Sequence, residues 1–197
     1  MKLPHSITIL GACIVGISSA TAAVSLTFTE ENGNVLVTYN GSLDLTGISG
    51  NAQFASAAGI NPSAPSVSLG VAPSSETDEY SGPFAAPLTA FGTGGSIAPT
   101  TTTGTIFGFA PEIPSGVGFT FPPTIDVPRG YANNDPISGQ AIFNGQTFAS
   151  MGLTPGTTTY ALTSGDAISV TVVETVPEPS TALLGLLGAA ALLRRKR

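Results

Sequence analysis

Residues 24–175 predict an all-β fold, a single antiparallel β-sandwich or jelly-roll-like domain, flanked by an N-terminal signal helix and a C-terminal transmembrane helix. Three observations carry this expectation. Apolar and polar residues alternate in short runs bounded by Gly, Pro and Asn-Gly turns, the pattern of half-buried strands. No window between residues 24 and 175 repeats apolar residues with a helical period. Two uncharged, largely apolar stretches, 7–17 and 182–193, stand toward the two ends of the chain.

Residues 1–23 begin with Lys2, continue through the apolar run and close on the small residues Ser18-Ser19-Ala20-Thr21-Ala22-Ala23. This is the plan of a secretory signal peptide, with the signal peptidase cut after Ala22 or Ala23. Leu10-Gly11-Ala12-Cys13 faintly resembles a lipoprotein box, but apolar residues run on through Ile17 and put the cut later.

The body, 24–175, opens on its clearest element. Val24, Leu26 and Phe28 alternate with Ser25, Thr27 and Thr29, Asn32-Gly33 turns the chain, and Val35, Val37 and Tyr39 alternate again, which predicts a β-hairpin. A third strand is expected over 42–45. Residues 49–75 read as loops with one short strand at 66–71, and 74–80 as a loop bearing Glu76, Asp78 and Glu79. Residues 82–95 are irregular, and the threonine run 100–105 leads into a strand at 105–109. Further strands are expected at 117–121, 141–143, 146–149, 158–163 and 167–175, with Asn144-Gly145 as a two-residue hairpin turn. Tyr160 loosely resembles the tyrosine corner of β-sandwiches. Asn40-Gly41-Ser42 fits the N-glycosylation pattern, but a hairpin turn accounts for it better.

Charge and absences limit the chemistry. Of six basic residues, Lys2 lies in the leader and four in the terminal cluster, so Arg129 alone faces eleven carboxylates within residues 24–176. Such a domain repels nucleic acid and anionic lipid. His5 and Cys13 both fall in the signal peptide, and the body has no lysine. This excludes a Ser-His-Asp triad, a cysteine nucleophile, a Schiff-base lysine, a disulfide and the usual zinc sites. Gly92, Gly94 and Gly95 lack the lysine and following helix of a phosphate loop. What survives is carboxylate chemistry, a glycoside-active pair drawn from Glu76, Asp78, Glu79, Glu112, Asp126 and Asp135, with Tyr80 or Tyr131 to stack on a sugar. The other reading is calcium, a hard cation suited to loop oxygens, with Glu76, Asp78, Glu79, Asn134 and Asp135 as candidate ligands outside any EF-hand pattern. No other cofactor is expected.

The tail, 176–197, places Pro177-Glu178-Pro179 before 13 uncharged residues, 181–193, and ends in Arg194-Arg195-Lys196-Arg197. As a helix the uncharged stretch covers about 20 Å, short of a bilayer core of about 30 Å. It therefore suits a transient anchor whose basic end stays cytoplasmic while the body lies outside. The two prolines hold the preceding segment extended.

This order closely resembles the PEP-CTERM sorting signal of Gram-negative bacteria, which in that family is recognised by an exosortase. The resemblance implies that Pro177, Glu178 and Pro179 are recognition residues and that an exosortase-type membrane peptidase removes the helix and basic cluster. Within the body, 35–47, 91–95, Val127-Pro128 with Gly130-Tyr131, Ser138-Gly139 and 147–157 are similar to recurrent segments of PEP-CTERM proteins, departing after Thr157. The expectation is an exported, non-enzymatic protein, anchored transiently in the inner membrane and then placed at the cell surface or in an extracellular, exopolysaccharide-containing matrix. The alternatives are a carboxylate-only glycoside-active enzyme and a calcium-dependent binding or adhesion module.

Overall fold

The computed structural model describes residues 23–54, 57–71, 76–114 and 120–173. The signal peptide up to Ala22 and the tail with Pro177, Glu178 and Pro179 lie outside the described residues. Among the described residues no helix is long and apolar enough to cross a membrane.

The expected hairpin forms as β1 (Ala23–Glu31) and β2 (Asn34–Gly41), with Val24, Leu26, Phe28, Val35, Val37 and Tyr39 all buried. Asn32 and Gly33 take φ of 52° and 73°, the two left-handed residues that match a tight turn to strand twist. Twelve further strands follow: β3 (Gly50–Phe54), β4 (Gly59–Asn61), β5 (Ser66–Leu69), β6 (Glu76–Ser81), β7 (Thr101–Gly104), β8 (Phe107–Ala110), β9 (Ile113–Pro114), β10 (Thr120–Phe121), β11 (Thr124–Pro128), β12 (Ile137–Asn144), β13 (Gly156–Ala161) and β14 (Ala167–Val172). They build sheet A, ordered β13-β14-β1-β2-β12-β7, sheet B, ordered β3-β6-β11-β8-β5-β4, and a β9–β10 ribbon. One core lies between the sheets, where Phe109 of sheet B meets Tyr160 of sheet A at 5.3 Å between ring centroids and Phe107 meets Tyr39 at 6.4 Å.

The all-β, antiparallel sandwich is as the alternation predicts, with one parallel pair among its strands. β14 runs parallel to β1, Ala23 opposite Ala167 and Phe28 opposite Val172. β1 is occupied on one side by its hairpin partner β2, and β14, itself antiparallel to β13, takes the other side running the same way as β1. The first and last strands thus sit side by side inside sheet A.

Other expectations also shift. Residues 42–45 are loop rather than strand, because the N–H groups of Leu43, Asp44 and Leu45 are taken by the side chains of Tyr131, Asp166 and Asn133. Asn144-Gly145 does not turn into a strand at 146–149. The chain enters a one-turn helix, α1 (Phe148–Met151), since Thr147 and Ser150 form a reciprocal capping box and Gly152 closes the turn in the left-handed region. Glu76, Asp78 and Glu79 lie on strand β6 rather than in a loop, and the threonine run is itself β7. β3, β4, β9 and β11 were not expected; of the strand at 117–121 only Thr120–Phe121 falls among the described residues.

Irregular segment 82–95 runs along the open edge of β13. Ala85 N–H donates to Ala161 O at 2.9 Å, Thr163 N–H to Pro83 O at 2.9 Å and Thr93 N–H to Gly152 O at 2.7 Å. The Tyr160 hydroxyl donates to Thr89 O at 2.8 Å rather than within its own strand pair. The sheet edge is thereby shielded from pairing with another chain.

Where sheet A turns toward sheet B, the Tyr39 hydroxyl donates to Thr105 O at 2.8 Å and Thr103 O at 3.1 Å, and burial pushes its pKa up to about 12. Gly139 lies directly opposite Tyr39, and a Cβ there would overlap Tyr39 Oη and Thr103 O. Gly139→Ala is expected to cost about 2–3 kcal/mol by overpacking a place where one obstacle is backbone. Urea unfolding of residues 23–173 checks this, and a loss under about 0.5 kcal/mol counts against the close approach.

Candidate functional site

On β11, Ile125 and Val127 are buried in the core, so the intervening Asp126 projects from the outer face of sheet B. Directly opposite on β6 is Glu79. The two head a transverse row of cross-strand neighbours, Gly59, Ser68, Gly108, Asp126, Glu79 and Asn51, that crosses all six strands. On one side of Asp126 the row is only Gly and Ser, and a Cβ on Gly108 would touch Asp126 Oδ2 at 3.5 Å. Asp126 therefore sits low, on a floor of small residues, with Glu79 as its carboxylate neighbour.

This pair lies in a groove of about 380 Å³ walled by Ser81, Thr124, Pro122, Ile113 and Phe121. Ile113 and Phe121, carried by the β9–β10 ribbon, are 54% and 61% exposed. Asp126 also lines a second hollow of about 200 Å³ with Ser66, Ser68 and Ser96. Burial, followed by the charge of Glu79, raises the Asp126 pKa to about 6. Directly opposed residues of an antiparallel pair have Cβ atoms about 4.5–5.5 Å apart. The arrangement can present an acid of raised pKa, Asp126, beside a second carboxyl group, Glu79, the pairing of side chains that glycoside hydrolysis uses.

The other candidates are dispersed. Asp78 pairs with Arg129 at 3.0 Å and accepts the Gly130 N–H at 2.7 Å, while Glu76 lies 3.9 Å from Arg129. Glu112 lines a separate groove of about 510 Å³ with Phe84, Leu88 and Pro123. Asn134 is the turn residue with φ 67°, and Asp135 accepts the Ala132 N–H at 3.0 Å. The calcium candidates thus fall in three places: on Arg129, in the acid groove and in the turn at 131–135. Among the described residues no three His, Cys, Asp or Glu side chains converge to hold a metal ion. Tyr80 lines a groove with Arg129, and the Tyr131 hydroxyl is engaged with Leu43 and Asp135 backbone.

Several polar residues not singled out from the sequence prove to be organising groups. Buried Asp166 accepts the Asp44 N–H at 2.6 Å, Asn133 Oδ1 accepts the Leu45 N–H at 2.9 Å, and Glu30 Oε2 accepts the Phe148 N–H at 2.6 Å across the fold. Thr46 hydroxyl and N–H bonds hold the Asp44 carboxyl below the usual carboxylate range. No local pattern announces such partners, which lie up to 122 residues away. Asp126 did have a signal, since Thr-Ile-Asp-Val-Pro alternates with period two, but the flanking prolines Pro122, Pro123 and Pro128 mask the strand.

The opposite sheet has a different outer face. Thr157, Thr171, Thr27, Thr38, Gln140 and Thr103 form one row across the whole of sheet A, and Thr157 and Thr171 hydrogen bond through their hydroxyls at 3.0 Å. This row is uncharged and hydroxyl-rich.

No curated protein and no solved structure matches the chain. Residues 175–197 do match a family model, described as the PEP-CTERM protein-sorting motif. The match begins two residues beyond Val173, the last described residue of the sandwich. The chain thus carries the PEP-CTERM sorting motif, the signal that exosortases recognise, directly behind its β-sandwich, which supports export and membrane-associated processing.

Proposed function

We propose that this is a non-enzymatic structural or adhesive domain, brought to the cell surface or extracellular matrix and freed of its tail by an exosortase-type peptidase. The observation that carries the reading is the sorting motif at 175–197 joined directly to a folded all-β body. The hydroxyl row of sheet A supports a neutral, hydroxyl-bearing partner such as exopolysaccharide, because no charge in that row needs desolvation on contact. The loop carboxylates of Asp44, Asp135 and Asp166 accept hydrogen bonds from the protein itself, which favours a structural role for them. No cofactor enters this reading. Replacing Pro177, Glu178 and Pro179 together with alanine is expected to leave the tail attached and hold the protein in the inner-membrane fraction. Release of that variant at the wild-type rate, followed by intact mass, would overturn the sorting step.

The Glu79–Asp126 groove supports a second reading, a carboxylate-only glycoside-active enzyme with Asp126 as acid and Glu79 as base or nucleophile. Against it, among the described residues the groove walls offer, besides the two acids, only the side-chain hydroxyls of Ser81 and Thr124 to position a substrate. Hydrolysis of a soluble glycan by the released protein, lost in Asp126→Asn, would favour this reading over the first.

A further inference from the structure

The place where the chain leaves the sandwich restricts how its tail can be reached. Val173 donates its N–H to Phe28 O at 3.0 Å, so the backbone is fixed in sheet A up to that residue. Only Glu174, Thr175 and Val176 separate it from Pro177. Fully extended, four steps reach about 14 Å. Alongside, β1 runs on past Phe28 to the turn at Asn32-Gly33, about 10 Å beyond the level of Val173 at the rise of a strand. Pro177 can therefore clear the β1–β2 tip by no more than about 4 Å.

The tip is built to be met. Glu31, Asn32 and Gly33 are exposed, and Gly33 has no neighbour in the space a Cβ would fill. Yet the tip is held in place: Asn34 Nδ2 donates to Asn32 O at 3.4 Å, Gly145 N–H donates to Asn34 Oδ1 at 2.9 Å, and Glu30 is tied to Phe148 N–H. On the other flank of β14 stands the exposed Pro155 before β13. The far end of the β1–β14 pair, with Ala23, Asp44 and Asp166, lies five residues back along the strands from the Phe28–Val172 level.

We propose that the β1–β2 tip, Glu31-Asn32-Gly33, is a second contact surface for the membrane peptidase that takes the tail. This rests on the reading that such a peptidase processes the chain. The surface it fits is a rim rich in hydrogen-bond donors or cations, since the exposed tip carries Glu31 and the motif within reach of it carries Glu178 in its sequence. An anionic lipid surface is the poorer occupant, because it repels Glu31 and Glu174.

The test follows tail removal in full-length protein in its native host by intact mass and pulse-chase. A compact insertion of about ten residues between Asn32 and Gly33 is expected to slow removal at least about tenfold, the scale of losing one good contact. In the otherwise wild-type chain, a Gly/Ser spacer of about eight residues after Val173, worth roughly 15 Å of reach, should also slow removal, because the motif can then be gripped without the tip, and the same compact insertion at Gly47, outside the tip, should leave the rate unchanged. Glu31→Lys should slow removal. Wild-type processing of the tip insertion overturns the proposal, as does unchanged processing when the spacer alone is added. A spacer that restores the rate of the tip insertion would mean that the tip is only a steric obstacle, which overturns it as well. Faster processing of Glu31→Lys would mean that the tip meets anionic lipid, and overturns it too. If instead the alanine replacement of Pro177, Glu178 and Pro179 is processed normally, it is the sorting reading that fails.

Discussion

Phe109→Ala is expected to lower the unfolding free energy of the body by about 3–5 kcal/mol, the range for deleting a fully buried aromatic ring. Phe109 is 1% exposed. Its ring lies 5.3 Å from Tyr160, 6.4 Å from Phe84 and 6.4 Å from Phe107, centroid to centroid. Those partners come from sheet A, from the segment that covers the β13 edge, and from the same strand. The substitution therefore opens a cavity at the one place where both sheets and the edge cover meet. With no disulfide and one cation in the body, packing must supply nearly all the stability, and domains of this size have about 5–15 kcal/mol in total. Urea unfolding of residues 23–173 should show the midpoint falling steeply, and Tyr160→Phe should cost far less, since it keeps the ring and loses only the bond to Thr89. A loss below about 1 kcal/mol for Phe109→Ala would mean the sheets are not joined there.

The same ring cluster shows where the sequence is legible. Phe107 and Phe109 bracket Gly108, and this alternation marks the strand to within two residues, although the threonines before it hide that they form a strand of their own. The β1–β2 hairpin is read almost whole, because turn chemistry and period two agree over 19 residues, from Ala23 to Gly41. At Asn144-Gly145 the local signal misleads. The dipeptide fits a hairpin, but Thr147 and Ser150 cap a helical turn and Glu30, 118 residues away, supplies its first N–H with an acceptor. Charged Glu76, Asp78 and Glu79 disguise β6, since acids are poor strand formers and only pairing with β11 and β3 makes them one. The Glu79–Asp126 pair was unreadable for the same reason. Both residues are visible as acids, but their register depends on two strands 47 residues apart, neither of which the local pattern reveals. The sorting tail is the opposite case, because its signal is a linear order of motif, apolar stretch and basic cluster that requires no tertiary structure to be read.

Asp126→Asn is expected to stabilise the protein at neutral pH and to have no such effect in acid. In the fold, burial and then Glu79 raise the Asp126 pKa from 3.8 to about 6. A raised pKa means that the folded state holds the proton more tightly than the unfolded chain. This contribution is therefore most favourable below pH 4, declines as pH rises from about 4 to about 6, and is level above about 7. The shift corresponds to about 3 kcal/mol, and the partial solvent access of Asp126 reduces the expected penalty to about 2 kcal/mol. The amide cannot ionise, so Asp126→Asn should be more stable than wild type by that amount at pH 7.5 and equal to it near pH 3.5. Glu79→Gln should give a smaller gain at pH 7.5, because it removes the second cause and leaves the burial. Thermal and urea unfolding across this pH range check both. A gain that persists unchanged in acid would trace to packing rather than to ionisation, and a loss at pH 7.5 would mean that the ionised carboxylate makes bonds in the groove. If the gain is found, Asp126 is a residue that costs the fold stability at neutral pH, as groups kept for binding or catalysis do; glycan binding or hydrolysis lost in the same stabilised variant would then assign the groove its role.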